Sequence, residues 1–310
     1  MTRPLRAGVV GVGYLGAFHA EKYASLSDVD LVAVVDVDAA RAQAIAARCD
    51  TVAATDYRTL FGRVECVSLA VPTPLHFALA QEFLGHGIDV LVEKPLTASV
   101  ADGRALVEAA ERGGRILQVG HLERFNPAIR ALAGVVTQPR FIECHRLAPF
   151  TERGTDVDVI LDLMIHDLDV ILSFVRSDVQ SVEAVGVPVL SESADIANAR
   201  LRFANGCIAN ITASRVALKR ERKIRIFQTD TYVSVDYGER HVRVCRRLTD
   251  QGNATIDVEE HALGDSDALF DEIEHFVHAV RTRQRPLVDG RTALRALEVA
   301  EMIRSNLETA

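Results

Sequence analysis

A glycine-rich segment near the N-terminus constrains the fold more than any other feature. Gly11-Val12-Gly13-Tyr14-Leu15-Gly16 has the spacing G-x-G-x-x-G. The apolar run 5–10 before it predicts a β-strand, and the pattern over 14–25 predicts a helix. Asp36 lies twenty residues beyond Gly16, at the end of a second predicted strand. This order of strand, glycine turn, helix and acidic residue indicates a dinucleotide-binding β-α-β unit.

Each residue of this segment has an expected task. Gly11 allows a tight turn, Gly13 lets the backbone approach a pyrophosphate, and Gly16 allows close helix–strand packing. The N–H groups at the start of the helix attract phosphate. Asp36 would accept hydrogen bonds from ribose hydroxyls and repel a 2′-phosphate, so NAD is expected rather than NADP. The alternative is a glycine-rich turn without a ligand.

The order of the predicted elements divides the chain of 310 residues into two parts. Up to residue 120, apolar strands alternate with helical patterns, as is typical of a parallel sheet covered by helices. Beyond it, strands follow one another, and Asn205-Gly206 predicts a hairpin turn. We therefore predict an α/β protein. Residues 1–120 form an N-terminal Rossmann domain with a parallel sheet that binds NAD. Residues 121–310 form a C-terminal α+β domain with a large, mostly antiparallel sheet for catalysis, substrate binding and oligomerisation.

Composition limits the partners and the compartment. The net charge of −8 disfavours nucleic acid or an anionic membrane as a partner, and the N-terminal apolar run is too short for a membrane span. Five scattered cysteines without a CxxC pair indicate reduced thiols in a cytoplasmic protein. The segment 203–215 alternates apolar and polar residues, and few helices follow it to cover both sheet faces. An uncovered apolar face predicts a homodimer or homotetramer formed through the C-terminal sheet.

Glu93-Lys94-Pro95 directly follows an apolar strand candidate over 88–92. Ligands of open α/β sheets bind at the carboxyl ends of the strands. The chain has only four lysines, because most of its cations are arginines. An ammonium group is compact and can lose its proton, unlike a guanidinium group, so Lys94 is a candidate for catalysis. The alternative is a lysine in a surface turn before a proline.

Asp162 and His166 lie four residues apart on an otherwise apolar helical pattern. They share one helix face, with Asp169 about two turns beyond Asp162. A carboxylate beside an imidazole orients the ring and favours its protonated form, as suits a general base for a hydroxyl proton. Three alternatives are a satisfied core histidine, a solvated stripe with Asp158, and a metal site including Asp167. The sequence has no second well-placed histidine, so no metal is expected.

Together these residues resemble the Gfo/Idh/MocA family of sugar and inositol oxidoreductases. The resemblance runs the whole length and includes the 71–74 segment Val-Pro-Thr-Pro and the C-terminal helices. It implies NAD-dependent oxidation of a sugar ring hydroxyl to a ketone. Lys94 would contact the nicotinamide ribose and the reacting hydroxyl, His166 would be the acid/base, and Asp162 would orient the substrate. The cofactor-binding residues that the resemblance implies are Gly11, Gly13, Tyr14, Leu15, Gly16, Asp36, Pro72, Thr73, His76, Glu93 and Lys94.

Segments 120–127 and 153–158 are similar to the subgroup that oxidises UDP-N-acetylglucosamine at C3, in the formation of 3-amino sugars of the lipid A type. The similarity implies a UDP sugar as the substrate. The substrate-binding residues would be Lys94, Arg124, Asn126, Arg153, Asp162 and His166. One departure is the segment 156–161, where many family members have small residues, so the pocket at the helix entry should differ.

Several alternatives remain open at this stage. Asn126 is also a good N-cap for a helix that starts at Pro127, and Arg124 could form a surface ion pair. Arg215, Lys219 and Arg222 could bind a diphosphate or form a solvated basic turn. The function could instead be that of another sugar or cyclitol dehydrogenase, of the inositol or glucose type, or of a non-catalytic NAD-binding sensor.

Overall fold

The computed structural model describes residues 3–151, 157–250, 253–264 and 266–309, and Arg153 lies outside these ranges. No helix within them combines the length and apolar character that crossing a membrane requires. The strands are β1 (Leu5–Val10), β2 (Val29–Val35), β3 (Val52–Ala54), β4 (Cys66–Leu69), β5 (Asp89–Glu93), β6 (Leu117–Gly120), β7 (Phe141–Leu147), β8 (Val179–Val187), β9 (Ile196–Phe203), β10 (Ile208–Ser214), β11 (Glu221–Gln228), β12 (Thr231–Asp236), β13 (His241–Asp250), β14 (Asn253–Ala262) and β15 (Leu307–Thr309). The α-helices are α1 (Tyr14–Ser25), α2 (Ala39–Arg48), α3 (His76–Gly85), α4 (Val100–Arg112), α5 (Pro127–Arg130), α6 (Ile165–Phe174), α7 (Ala268–Thr282) and α8 (Gly290–Ser305).

The chain forms two compact units that differ from the predicted domains. Unit 1 contains Met1–Phe125 and Asp267–Leu294, and unit 2 contains Asn126–Ser266 and Arg295–Ala310. The prediction placed the whole of 121–310 in a second domain. The structure instead packs α7 into unit 1, because its apolar side chains Ile273, Phe276 and Val280 join the same core as Tyr23 of α1.

Unit 1 has a six-stranded sheet in the order β3-β2-β1-β4-β5-β6, and every pair is parallel. This confirms the predicted Rossmann architecture. The strands are apolar on both faces because helices cover both sides, and Val67, Val90 and Leu91 are fully buried. The short strand β3 was not predicted from the sequence.

Side-chain caps mark the start of helices α2 and α4 in unit 1. Asp38 caps α2 by accepting from the N–H groups of Ala40 and Arg41. Ser99 caps α4 by accepting from the N–H of Asp102. A 3₁₀ turn over Thr73–Leu75 leads directly into α3, which has no side-chain cap among the described residues.

Unit 2 is built on a nine-stranded sheet in the order β14-β13-β12-β11-β7-β10-β9-β8-β15. Its pairs are antiparallel except β7–β10 and β8–β15, so the predicted mostly antiparallel sheet is confirmed. The hairpin between β9 and β10 turns at Gly206, whose φ is +83°, as Asn205-Gly206 predicts.

One face of the unit 2 sheet is already covered within the single chain. Its apolar residues on β9 and β10, among them Leu201, Phe203 and Ile211, are at most 1% exposed. The opposite face of these strands carries polar side chains, such as Arg200 and Asn210, which hydrogen bond to each other at 2.9 Å. The expectation of an uncovered apolar face on these strands is therefore wrong.

Arg215 is buried against Asp195 rather than exposed for a phosphate. It is 3% exposed, and its Nε donates to Asp195 at 2.8 Å. Its remaining donors reach the Val157 carbonyl and the hydroxyls of Ser191 and Ser193. Both expectations for this residue, diphosphate binding and a solvated turn, are wrong because the guanidinium is an internal support of unit 2. Lys219 is exposed, as the alternative of a basic turn predicts.

The Asp195 carboxylate is held in its ionised form. Burial opposes ionisation, but hydrogen bonds from Ser191, the Leu190 N–H and Arg215 outweigh it and hold the pKa of Asp195 well below its usual range. The pair therefore joins the loop before β9 to the end of β10 by full charges in a water-excluded place.

We predict that Arg215→Ala lowers the free energy of unfolding by about 3–5 kcal/mol, because it leaves Asp195 as an uncompensated buried charge. Urea unfolding followed by circular dichroism measures the change. The matched control is Lys219→Ala in the same segment, which should stay within about 0.5 kcal/mol of the parent protein. Equal stability of the two variants would contradict the structural role of Arg215.

Candidate functional site

The predicted cofactor residues follow the carboxyl ends of the unit 1 strands. Gly11 follows β1, Asp36 follows β2, and Lys94 follows β5. Because the strands are parallel, these three residues lie along one edge of the sheet. The strand order changes direction between β1 and β4, where sheets of this type bind dinucleotides.

The three motif glycines meet different constraints. Gly11 has a φ of +80°, and a Cβ there would lie 2.6 Å from the Ala70 carbonyl oxygen. A Cβ on Gly16 would overlap the Gly11 carbonyl oxygen, so the loop and helix α1 can approach only without a side chain. A Cβ on Gly13 would have no neighbour within 4 Å. Gly13 therefore leaves room for a group from outside the protein, as a pyrophosphate requires.

The start of α1 provides the anion-binding part of the site. Gly13 is its N-cap, and no acidic residue lies in its first turn. Tyr14 is 64% exposed and Leu15 is 39% exposed. The N–H groups and the positive end of the helix dipole at this exposed turn fit a diphosphate.

Asp36 is connected to the glycine loop. One carboxylate oxygen accepts from the Val12 N–H at 2.9 Å, and the other accepts from the Asp38 N–H at 2.9 Å. Arg41 reaches both oxygens at 3.3 Å. Asp36 therefore holds the loop in place as well as offering a carboxylate to a ribose, and Arg41 is a cation beside it that sequence reasoning missed.

His76 supports the Lys94–Pro95 segment. Its Nδ1 lies 2.8 Å from the Pro95 carbonyl oxygen, and its Nε2 lies 2.9 Å from the Val71 carbonyl oxygen. Burial lowers the pKa of His76, although both carbonyls act in the opposite direction. The ring has no exposed surface. His76 therefore supports the loop, whereas Pro72 and Thr73 are accessible, and the contact of all three residues with a cofactor stays a prediction.

The Glu93 carboxylate points into unit 1, and Lys94 beside it is partly exposed. Glu93 accepts from His19 Nε2 at 2.9 Å and from the Lys94 N–H at 3.3 Å. Burial acts to raise the pKa of Glu93, but His19 and the Lys94 charge lower it overall. The Lys94–Pro95 peptide is cis. Through its bonds to His19 and to the Lys94 N–H, Glu93 connects this segment to helix α1. Its predicted contact with the cofactor stays a prediction.

Glu272 of α7 completes a buried group with His19 and Glu93. One nitrogen or oxygen atom from each residue lies within 4.8 Å of the others, so these three could in principle hold a metal ion. Glu272 is fully buried. Burial, followed by the charge of Glu93, raises the pKa of Glu272 well above its usual range.

Asp162 and His166 lie in unit 2, on a helix that begins with a π-helical turn over Ile160–Met164. Such turns are frequent at functional sites because they change the direction in which side chains point. Both residues are partly exposed, so His166 is not a fully enclosed core histidine.

Asp158 caps the helix through the Ile160 N–H at 3.0 Å. Asp169 is 1% exposed, which excludes the solvated stripe.

The neighbouring acidic residue of α6 has a structural partner. Asp167 forms a two-point pair with Arg146 of β7, at 2.8 and 2.9 Å, and both residues are buried. The arrangement leaves Asp162 and His166 as the accessible ionisable groups of the predicted D-x-x-x-H segment.

Comparison with known proteins agrees with this geometry. Residues 5–121 match the family described as "Oxidoreductase family, NAD-binding Rossmann fold", and residues 128–234 match the "GFO/IDH/MocA C-terminal domain". The chain belongs to the Gfo/Idh/MocA oxidoreductase family. Its N-terminal unit is therefore an NAD-binding Rossmann fold, as the sequence predicts, and NAD is the cofactor.

Two relatives extend the comparison beyond the family. UDP-N-acetylglucosamine 3-dehydrogenase from Acidithiobacillus ferrooxidans is 39% identical over 98% of this chain and 97% of its own length. A solved structure of that enzyme, GnnA, has a TM-score of 0.92 and covers 99% of both chains at 38% identity. Inositol 2-dehydrogenase from Rubrobacter xylanophilus is 35% identical, but over 59% of this chain and 56% of its own length.

The segment after β6 contains two of the predicted substrate residues, Arg124 and Asn126. Arg124 lies in a 3₁₀ turn over Leu122–Phe125 and is partly exposed. Asn126 caps α5 by accepting from the Ala128 N–H at 3.0 Å, so the structural alternative for its side-chain oxygen is correct. Arg222 is partly exposed on β11. Binding of substrate by Arg124 and Asn126 stays a prediction.

The sequence reasoning missed His19 and Glu272, and a signal for both was available. His19 and Tyr23 are spaced i, i+4 on α1, and both are buried. Glu272 occurs within the apolar stripe of α7, next to Ile273 and one turn before Phe276. A carboxyl group in a buried stripe indicates a partner or a bound proton.

The glycine loop generates a prediction that separates cofactor binding from folding. Gly13→Ala should leave the melting temperature of the NAD-free protein within about 2 °C, because its Cβ enters open space, but should weaken NAD at least about tenfold. Gly16→Ala should destabilise the NAD-free protein, because its Cβ overlaps the Gly11 carbonyl. Calorimetry with NAD and thermal unfolding without it measure the two effects. Equal NAD affinity for Gly13→Ala and the parent would contradict the assignment of the phosphate site.

Proposed function

We propose that this chain oxidises the C3 hydroxyl of UDP-N-acetylglucosamine to a ketone, with NAD as the oxidant. The observation that carries the proposal is the similarity to the Acidithiobacillus enzyme over 98% of this chain, which includes both units. The inositol dehydrogenase relative covers a smaller part of the chain, which makes inositol the weaker alternative. A C3 ketone is the substrate type that an aminotransferase converts to a 3-amino sugar.

The proposed chemistry assigns a task to each accessible ionisable group. His166 takes the proton of the C3 hydroxyl, because a histidine can accept and release a proton near neutral pH. Asp162 orients the substrate and the imidazole. Lys94 stabilises the negative charge that develops on the sugar oxygen, which is typically the largest contribution of a protein to such a step. NAD, when bound, accepts the hydride that leaves the C3 carbon.

We also propose that the UDP part is bound by residues that follow β6, with Arg124 as the main cation. Arg124 lies near the carboxyl edge of the unit 1 sheet, and a guanidinium donates two hydrogen bonds to one phosphate. Arg153 belongs to the same proposal on the basis of its sequence segment alone. Arg215 is removed from it, because its guanidinium is buried against Asp195.

The proposal includes a cytoplasmic homodimer or homotetramer. The described cysteines are free thiols, and all but Cys245 are buried. The apolar face of β9 and β10 is covered, so an interface through the sheet would use the other face, where Phe141, Phe227 and Tyr232 form an aromatic group amid charged residues. Light scattering at micromolar concentration would contradict this if it gave the mass of one chain.

The substrate is tested by following NADH formation with a panel of sugars. We expect turnover of UDP-N-acetylglucosamine, competitive inhibition by UDP, and little turnover of myo-inositol or free glucose. Arg124→Ala should raise the KM for the sugar nucleotide about tenfold or more, with a much smaller change for NAD, since one charged hydrogen-bonding group is worth roughly 1.5–3 kcal/mol. Efficient oxidation of myo-inositol with no reaction of the UDP sugar would contradict the proposed substrate.

The catalytic roles are tested by His166→Ala and Lys94→Ala. Each variant should fold and lose turnover by about 10²-fold or more, because general acid–base help contributes 10²–10⁴-fold and an oriented charge at the oxygen 10²–10³-fold. The His166 variant should still bind NAD. His145→Ala, on β7 of the same unit, is the matched control and should keep its turnover. If His166→Ala kept more than about a tenth of the turnover, another residue would be the base.

A further inference from the structure

A buried triad of His19, Glu93 and Glu272 lies beneath the Lys94 segment. Its members come from three elements far apart in the sequence: α1, the end of β5, and α7. His19 is 1% exposed, Glu272 is fully buried, and the Glu93 side chain is 13% exposed. Two carboxyl groups and one imidazole therefore share a place from which water is largely excluded.

The two carboxyl groups of the triad have different surroundings. Glu93 has the His19 imidazole and the Lys94 N–H as donors. Within the described part of the chain, neither carboxyl oxygen of Glu272 has a hydrogen-bond partner. Two carboxylates this close cannot both ionise at low cost in a buried place. The favourable distribution puts the negative charge on Glu93 and a proton on Glu272.

We propose that the triad holds its single negative charge on Glu93 and keeps Glu272 as a neutral carboxylic acid, so that His19 and Glu272 act as positioning residues for Lys94. The shifts of the two carboxyl groups agree in direction, since the pKa of Glu93 is lowered and that of Glu272 is raised. The part that concerns Lys94 rests on the function proposed above.

The link from the triad to Lys94 is short. Glu93 precedes Lys94 in the chain and accepts its N–H at 3.3 Å. Gly120 on β6 lies against the other side of Glu93, and a Cβ there would be 2.9 Å from a Glu93 carboxylate oxygen. The Glu93 carboxylate therefore lies between Gly120 and His19. From this position it accepts the backbone N–H of Lys94 and places a negative charge next to that residue.

Other polar groups lie near Glu272, and their charge also affects whether it keeps its proton. Tyr23 of α1 is fully buried, bonds to Ser68 at 2.9 Å, and has its pKa raised by burial first, then by Cys66 and Glu272. The Gln118 amide of β6 donates to the Glu272 backbone carbonyl at 3.1 Å. These groups are uncharged at neutral pH, so the charged group that acts on Glu272 is Glu93.

The proton on Glu272 can be observed without substrate. Infrared spectroscopy of the full-length protein at neutral pH should show the C=O stretching band of a protonated carboxylic acid. Glu272→Gln should remove it, whereas Glu274→Gln, an exposed position on the same helix, should retain it. If the band is missing from the parent protein, or persists in Glu272→Gln, the proposal is wrong.

A second measurement uses the pH dependence of stability. Above the ordinary glutamate pKa of about 4.3, the unfolded chain releases this proton while the folded protein keeps it. The parent protein should therefore lose stability relative to Glu272→Gln as pH rises from about 5, by about tenfold in the unfolding constant per pH unit. Parallel stability curves would overturn the assignment of the proton. So would a stoichiometric divalent metal in the purified protein, which would replace the proton by a cation.

The positioning role is tested by the same substitution at both carboxyl groups. Glu93→Gln should lower kcat by about tenfold or more with a much smaller change in KM, because the Lys94 backbone loses the carboxylate that accepts its N–H. Glu272→Gln replaces one neutral group by another, so it should retain at least about tenfold more turnover than Glu93→Gln. Equal losses would contradict the asymmetry. If no sugar is oxidised, the proposed function fails, while the infrared and stability results still decide the charge of the triad.

Discussion

The close approach of helix α1 to the glycine loop determines much of unit 1. Gly16 faces the Gly11 carbonyl at a separation that admits no side chain. That approach holds α1 close to the sheet. As a result, His19 bonds to Glu93 at the end of β5, and Tyr23 bonds to Ser68 on β4. The same glycine contact therefore positions the anion-binding turn and, one and two turns later, the polar groups beneath Lys94.

Three buried carboxyl groups of the chain have different charged neighbours. In unit 2, Asp195 and Asp167 each have an arginine within hydrogen-bonding distance, and each pair is shielded from water. In unit 1, Glu272 has a second carboxyl group as its charged neighbour. Arginine pairs suit positions whose charge must stay constant, because guanidinium does not lose its proton. A carboxyl pair instead binds one proton, and the charge of the group then depends on pH.

Much of the fold could be predicted because strand ends and glycine turns are local signals. The parallel sheet, the two C-terminal helices and the Asn205-Gly206 hairpin all follow from short segments. The three-residue strands β3 and β15 carry too little pattern to be recognised. For the site, Gly11, Asp36 and Lys94 were found because each follows a strand. Arg215 was misjudged because its partner Asp195 is twenty residues away. In a stretch with several basic residues, the sequence does not show which side chain points inward. Glu272 was missed because its neighbours lie far away in the sequence.

The division of unit 1 between both ends of the chain has a consequence for its synthesis. A nascent chain that has emerged as far as Phe125 contains all six strands of the parallel sheet but lacks α7. That chain lacks Phe276 and Val280, which belong to the same core as Tyr23 and Leu91, and it lacks Arg283, which forms an ion pair with Asp89. The ribosome must add about 155 further residues to reach Val280 before this core can close, at the ordinary pace of some 5–20 residues per second. At that pace the nucleotide-binding half is synthesised about 8–30 s before the helix that completes its core.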